Sequence, residues 1–190
     1  MKVLGISGSP RRGGNTELLL AEAMKGAASR GAETKTIILN DLDITPCQHC
    51  DYCLKAGRCR QDDDMQLVYH ELAQAERVVI ATPIHFMGPT AQLKTMIDRC
   101  QALWARKYIL KMPPLENRRE RKGLFIAVGG MKISGLFEPT LTIVKALFKV
   151  LDISYEGELL FTSVDEKGAI AKHPEALSQA FRAGQKLVAD

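Results

Sequence analysis

The sequence predicts an α/β sandwich: a five-stranded parallel sheet of strand order 2-1-3-4-5, with helices on both faces. Three observations predict it. Five short apolar runs alternate strictly with helical patterns, which calls for parallel strands joined by right-handed crossovers. The runs show little period-two alternation, as strands covered on both faces do. And 190 residues suit one domain with one full core, spanning 1–190, whereas division leaves two marginal ones.

Strands are predicted over Lys2–Ser7, Thr34–Leu39, Arg77–Thr82, Gly123–Val128 and Glu158–Thr162. The first helix is predicted from about Thr16 to Arg30, with Leu20, Met24, Ala27 and Ala28 on its inner face. The second, about Asp63 to Ala75, opens on acidic residues that suit a helix N-terminus. A third, about Thr90 to Trp104, stacks Leu93, Ile97 and Trp104 on one side, and a fourth covers Glu138 to Leu151. The last begins near Pro174, a favourable first-turn residue. Two long irregular stretches remain, Asp41–Asp62 and Lys107–Lys122. In such sheets ligands bind at the carboxyl ends of the strands, at the switch point, so the loops after strands one, three and four are where a site is sought.

Composition narrows the function classes. The chain is 46% apolar and 25% charged, ordinary for a soluble globular protein. No apolar run approaches the roughly 20 residues that span a bilayer. Met1–Ile6 lacks a signal peptide's h-region, so a cytoplasmic location and no membrane partner are expected. The net charge is +4, unevenly spread. Between Ala105 and Gly123 stand Arg106, Lys107, Lys111, Arg118, Arg119, Arg121 and Lys122, against Glu116 and Glu120. Neither interleaved aromatics nor a recognition helix accompanies them, so no nucleic-acid partner is expected. The segment reads as a solvated basic loop, or as a docking patch for an anionic partner or cofactor phosphates.

The first strand runs into Gly8-Ser9-Pro10-Arg11-Arg12-Gly13-Gly14-Asn15-Thr16 and then a helix. Glycines allow close backbone approach. Ser9, Asn15 and Thr16 offer donors, Arg11 or Arg12 offers charge, and the helix N-terminus adds partial positive charge. This is a cradle for a single phosphate. It lacks the Gly-Lys-Ser/Thr ending of a Walker A loop and the G-x-G-x-x-G of a pyrophosphate loop. The plainer alternative is a polar turn with a helix cap.

Gly-Ser-Pro-Arg-x-x-Gly-Asn-Thr closely resembles the FMN-phosphate loop of the NAD(P)H-dependent FMN reductase family, which are flavodoxin-like proteins. Thr82-Pro83-Ile84-His85-Phe86-Met87-Gly88, followed by Gln92-Leu93-Lys94 and Ile97-Asp98-Arg99, resembles that family's second flavin loop and the helix after it. Val128-Gly129-Gly130 resembles the third. The resemblance implies one FMN per subunit, with Pro83 to Gly88 wrapping the isoalloxazine edge through backbone N–H groups. Gly129 and Gly130 would let the chain approach the flat ring. His85 is the ionisable side chain of the second loop, for which tuning the flavin, meeting a hydride donor, and mere packing all stand open. The flavin itself carries the chemistry, so no catalytic side chain is expected.

Cys47, Cys50, Cys53 and Cys59 form C-x2-C-x2-C-x5-C. The spacing is kin to the ferredoxin run, and one 4Fe–4S cluster held by these four is the natural expectation. The arrangement, between strand two and helix two of an FMN domain, resembles the iron–sulfur flavoproteins. That resemblance implies electron transfer between a ferredoxin-like donor, the cluster and FMN, in a homodimer or homotetramer. Zinc more often takes two separated ligand pairs, and a redox thiol pair leaves two cysteines without a role. Cysteines that persist without a cluster are a further alternative. The chain would then be an NAD(P)H-dependent FMN or quinone reductase. A redox-responsive binding module without turnover is a third class. Cys100 matches no ligand position and reads as a buried small hydrophobe.

Overall fold

The computed structural model describes residues 1–116 and 120–189. Its sheet is parallel throughout, in the order β2-β1-β3-β4-β5, with β1 at Lys2–Ser7, β2 at Glu33–Ile38, β3 at Arg77–Pro83, β4 at Arg121–Val128 and β5 at Ile153–Phe161. Helix α1 (Asn15–Ala28) follows β1. The short α2 (Tyr52–Ala56) and then α3 (Met65–Gln74) lie between β2 and β3. After β3 come α4 (Ala91–Arg99), α5 (Gln101–Trp104) and a wide π turn at Ala105–Ile109. Helix α6 (Glu138–Val150) precedes β5 and α7 (Ala176–Leu187) follows it.

The core has two halves, one on each face of the sheet. On one face Leu20, Ala23 and Met24 of α1 and Ala180 of α7 pack on Val3, Val79 and Ile126. On the other, Met65, Val68, Leu93, Met96, Val144 and Phe148 cover Leu4, Ile6, Ile80 and Phe125. Two glycines bring α1 and α7 together: a Cβ on Gly26 would stand 2.0 Å from the Phe181 carbonyl oxygen, and one on Gly184 1.8 Å from that of Ala23. Arg77 is buried at the start of β3, and its Nε donates to the Leu187 carbonyl (2.8 Å). The cation thus meets the carbonyl end of α7, where the helix dipole favours it.

Several sequence expectations need correction. Only β1, β3 and β4 are covered along their length. The edge strand β2 is mostly exposed and β5 is exposed at several positions, since an edge strand has a neighbour on one side alone. β5 begins five residues earlier than expected, because exposed Ser154 and Glu156 alternate with covered neighbours at its start and so form no apolar run; a bulge at Glu156-Gly157 also shifts its register against β4. Ala28 is exposed, on the outer side of α1, although Ser29 beyond it still meets Gln185 of α7 (3.1 Å). The helix expected over Thr90–Trp104 breaks at Cys100, whose N–H is shared between the carbonyls of Met96 (3.2 Å) and Ile97 (3.0 Å). Its buried stripe is Leu93, Met96 and Arg99, with Ile97 and Trp104 only half-buried. The basic segment is not a free loop. Arg121 is a buried β4 residue whose guanidinium donates to the carbonyls of Ala73 and Ala75, and Lys107 binds Asp152 (2.6 Å). Arg118 and Arg119 lie outside the described residues.

Candidate functional site

The loops at the carboxyl ends of β1, β3, β4 and β5 surround a cleft of about 220 Å³. The first loop is tightly made. Ser9 Oγ accepts from the Arg11 N–H (3.1 Å), and the Gly14 N–H returns to the Arg11 carbonyl (3.2 Å). A Cβ on Gly14 would lie 2.9 Å from that carbonyl oxygen, so only glycine fits this turn without displacement. Gly14 caps α1 with no side-chain acceptor. Among the described residues, therefore, no side chain caps the first-turn N–H groups of the helix, as an anion site requires. Thr90 ties the second loop to the first: its Oγ1 donates to the Gly8 carbonyl (2.5 Å) and accepts from Leu93 N–H.

The cleft is lined by Ser9, Arg11, Asn15, Thr16, Pro83, Ile84, His85 and Gly130 of the expected residues. Arg11 is exposed, and among the described residues its side chain has no hydrogen-bonding partner, so it is the guanidinium available to a phosphate. Arg12 is turned away, bound to Glu17 and Asp41. The Asn15 amide is occupied structurally. It donates to the Glu166 carbonyl (2.9 Å) and accepts from Ile170 N–H (3.2 Å), lacing the first loop to the loop after β5.

The second loop also differs from expectation. His85 and Gly88 exchange backbone hydrogen bonds (3.0 and 2.9 Å) around a tight turn, with Phe86 and Met87 at positive φ. Ile84 N–H donates to Val128 (2.9 Å), and Pro83 has none to give. The free edge donors of this loop are thus Phe86 and Met87 alone among the described residues. The Phe86 ring is fully exposed, and Met87 holds Thr140 through its carbonyl. Gly129 makes room for Leu136, 2.6 Å from where its Cβ would stand, and bonds to Phe161 and Val164, so it lies behind the cleft wall. Gly130 lines the cleft beside Asp165. The sequence reading missed Val164 and Asp165, which close the cleft from the loop after β5. The one available signal was that this loop also leaves a strand's carboxyl end.

The cysteines lie elsewhere. Cys47, Cys50, Cys53 and Cys59 all line one small cavity of about 40 Å³, together with Arg60, Gln61 and Arg99. It shares no lining residue with the first cleft. His49 and Asp51 adopt positive φ and α2 supplies one short turn, so the backbone bends around the thiols. Burial pushes the Cys53 thiol up, and so do the neighbouring Cys47, Cys50 and Cys59, despite a backbone hydrogen bond. The loop's neck is closed by Asp63, which accepts from Arg99 Nη1 (2.5 Å) and Nη2 (3.0 Å), Thr45 N–H (3.0 Å) and Met65 N–H (3.1 Å). Arg99 also donates to the Thr45 carbonyl (2.7 Å). Among the described residues no three His, Cys, Asp or Glu side chains are grouped as one metal ion requires. Cys100 is buried in the core and its thiol is pushed up to about 12 by burial.

The residues present offer donors of the kind that both groups implied by this architecture would use. The phosphate of a flavin mononucleotide matches the uncapped helix, the Gly14 turn and free Arg11, while Ile84, Val128 and Val164 offer apolar wall to a ring. Four thiols around one cavity are the donor set of an iron–sulfur cluster.

The fold and the first loop thus define a flavin-type α/β protein, and the chain belongs to the NADPH-dependent FMN reductase family, whose model matches residues 1–157. Among its relatives is an iron–sulfur flavoprotein of Archaeoglobus fulgidus, 47% identical over 133 residues, which are 70% of this chain and 64% of that protein. Another, from Methanosarcina thermophila, is 34% identical over 71% of this chain and 66% of its own length. The matched region spans about half to two thirds of the first iron–sulfur flavoproteins it resembles. YwqN of Bacillus subtilis, assigned to the NAD(P)H-dependent FMN-containing oxidoreductases, is 29% identical over 96% of both chains. The NAD(P)H:quinone oxidoreductase of Methanothermobacter marburgensis superimposes with a TM-score of 0.72 at 16% identity, over 100% of this chain and 97% of that one. This last likeness is one of fold.

Proposed function

We propose that this chain is an FMN-dependent oxidoreductase of the iron–sulfur flavoprotein type, passing electrons between a ferredoxin-like donor, a 4Fe–4S cluster and FMN within one domain. The observation that carries the reading is the pairing, in one chain, of a phosphate cleft on β1 with a second cavity lined by four cysteines. The iron–sulfur flavoprotein relatives support it. FMN supplies two-electron and one-electron chemistry, and a cluster supplies one-electron chemistry, so a protein with both converts between pairs and single electrons.

The chain's own residues do the holding. Arg11 and the first turn of α1 would bind the phosphate, with Gly14 keeping the backbone close to it. Ile84, Val128 and Val164 would shield the ring from water, and the free N–H groups of Phe86 and Met87 would serve its polar edge. The four thiolates would ligate iron, and the Arg99–Asp63 pair fixes the loop that carries them. Phe86, Met131 and Ile133 leave exposed apolar surface on the loops after β3 and β4. Such surface suits a second copy of the chain, and the reading requires a cysteine loop to stand near a flavin, its own or a neighbouring subunit's. The buried Arg121 takes no part in docking, so an acidic donor would meet the exposed cations of the cysteine loop itself, Lys55, Arg58 and Arg60.

A second reading, an NAD(P)H-dependent flavin or quinone reductase without a cluster, is favoured by the end-to-end likeness to YwqN. Anaerobic mixing separates the two. A reduced ferredoxin should bleach the bound flavin rapidly and NAD(P)H slowly. Rapid bleaching by NAD(P)H, with none by ferredoxin, overturns the first reading in favour of the second.

A further inference from the structure

We infer that Arg99 donates a hydrogen bond from Nε to a sulfur of the cluster, and so raises the cluster's reduction potential. The inference rests on reading the cysteine loop as a cluster site. A buried guanidinium is costly unless its donors are satisfied. Arg99 is buried, and its two terminal nitrogens are taken by Asp63 and the Thr45 carbonyl. Its Nε, also buried, has no hydrogen-bonding partner among the described residues. The two-point lock on Asp63 fixes the guanidinium plane, so Nε–H cannot turn to another acceptor.

Arg99 reaches the cysteine cavity from α4, opposite the loop, and lines it beside all four cysteines. The acceptor that this geometry lacks is therefore one that the cavity's occupant supplies, a cysteine thiolate or an inorganic sulfide. Reduction adds one negative charge to a cluster. A fixed cation and an N–H donor stabilise the more negative form, and hydrogen bonds to sulfur are a recognised determinant of cluster potential. Lysine does not reproduce this, because it has no forked donor that can hold a carboxylate and a sulfur at once. Arg99 acts here as a positioning and tuning residue, not as an iron ligand.

The test uses the anaerobically reconstituted full chain carrying arginine labelled with 15N at Nε. Pulsed electron paramagnetic resonance of the reduced cluster should show a 15N coupling that disappears in Arg99→Lys and persists in Arg60→Lys, which controls for the other arginine lining the cavity. Arg99→Lys should also shift the one-electron equilibrium about tenfold toward the oxidised cluster, a fall of about 59 mV. A wild-type cluster without 15N coupling overturns the inference whether or not the variant assembles. So does an unchanged potential in a fully loaded variant. Absence of iron from the reconstituted wild type is a different result, and it refutes the cluster reading itself.

Discussion

Replacing Asp63 by alanine should open the cysteine loop while leaving the sheet folded. Asp63 is the common acceptor for two guanidinium nitrogens and two backbone N–H groups. Its loss leaves Arg99 buried without its counter-charge. Breaking a buried pair from one side costs about 3–5 kcal/mol. The Asp63 side chain is 12% exposed, which places the loss near the lower figure, about 3 kcal/mol. For a domain of this size that lowers Tm by about 6–12 °C. The pH dependence has a definite sign. Burial pushes the Asp63 carboxyl up, but the Arg99 hydrogen bonds and the N–H groups of Thr45 and Met65 outweigh it and hold the carboxyl below its ordinary range. A carboxylate depressed on folding stabilises above its unfolded pKa of about 3.9, and that contribution fades as pH falls through the folded value. Asp63→Ala should therefore unfold with a flatter acid limb below about pH 4. Thermal melts from pH 3 to 7, with alkylation rates of the metal-free thiols, check both points. A Tm within 2 °C of wild type, with unchanged alkylation of Cys47 and Cys50, would refute the assigned role of the pair.

Three further outcomes are expected. Arg11→Ala should weaken FMN binding about tenfold, the scale of one exposed charge-assisted hydrogen bond. It should leave riboflavin binding unchanged, and Arg12→Ala should alter neither, as fluorescence titration will show. Gly184→Ala should destabilise by about 2 kcal/mol or more in urea melts despite alanine's better helix propensity, because its Cβ meets the Ala23 carbonyl and the helices must part. Cys100→Ser should cost about 1–3 kcal/mol for a buried hydroxyl and leave the iron content unchanged, whereas Cys59→Ser should lower it.

What could be read from the sequence was whatever local chemistry fixes. Apolar β-rich runs placed the sheet and its order, the glycine-rich turn placed the first loop, and cysteine spacing singled out the four thiols that line one cavity. Side chains engaged by distant partners were not legible. Asn15 reads as a phosphate donor, yet both its amide atoms are held by a loop about 150 positions away. Arg12 and Arg121 read as free charge but are taken up by Asp41 and by the carbonyls of α3's end. Arg99 appeared only as part of a resemblance, because its importance comes from Asp63 on the far side of the cysteine loop. The exposed polar residues at the start of β5 and the break at Cys100 hid the apolar patterns by which these boundaries would have been found.

Anaerobic purification followed by iron, sulfide, zinc and FMN assays with a visible spectrum decides whether the four thiols carry a cluster. About four irons and four sulfides beside one FMN per chain is the predicted result. FMN with no iron, even after anaerobic reconstitution, would rule out the cluster and leave a nicotinamide-dependent flavin reductase in its place.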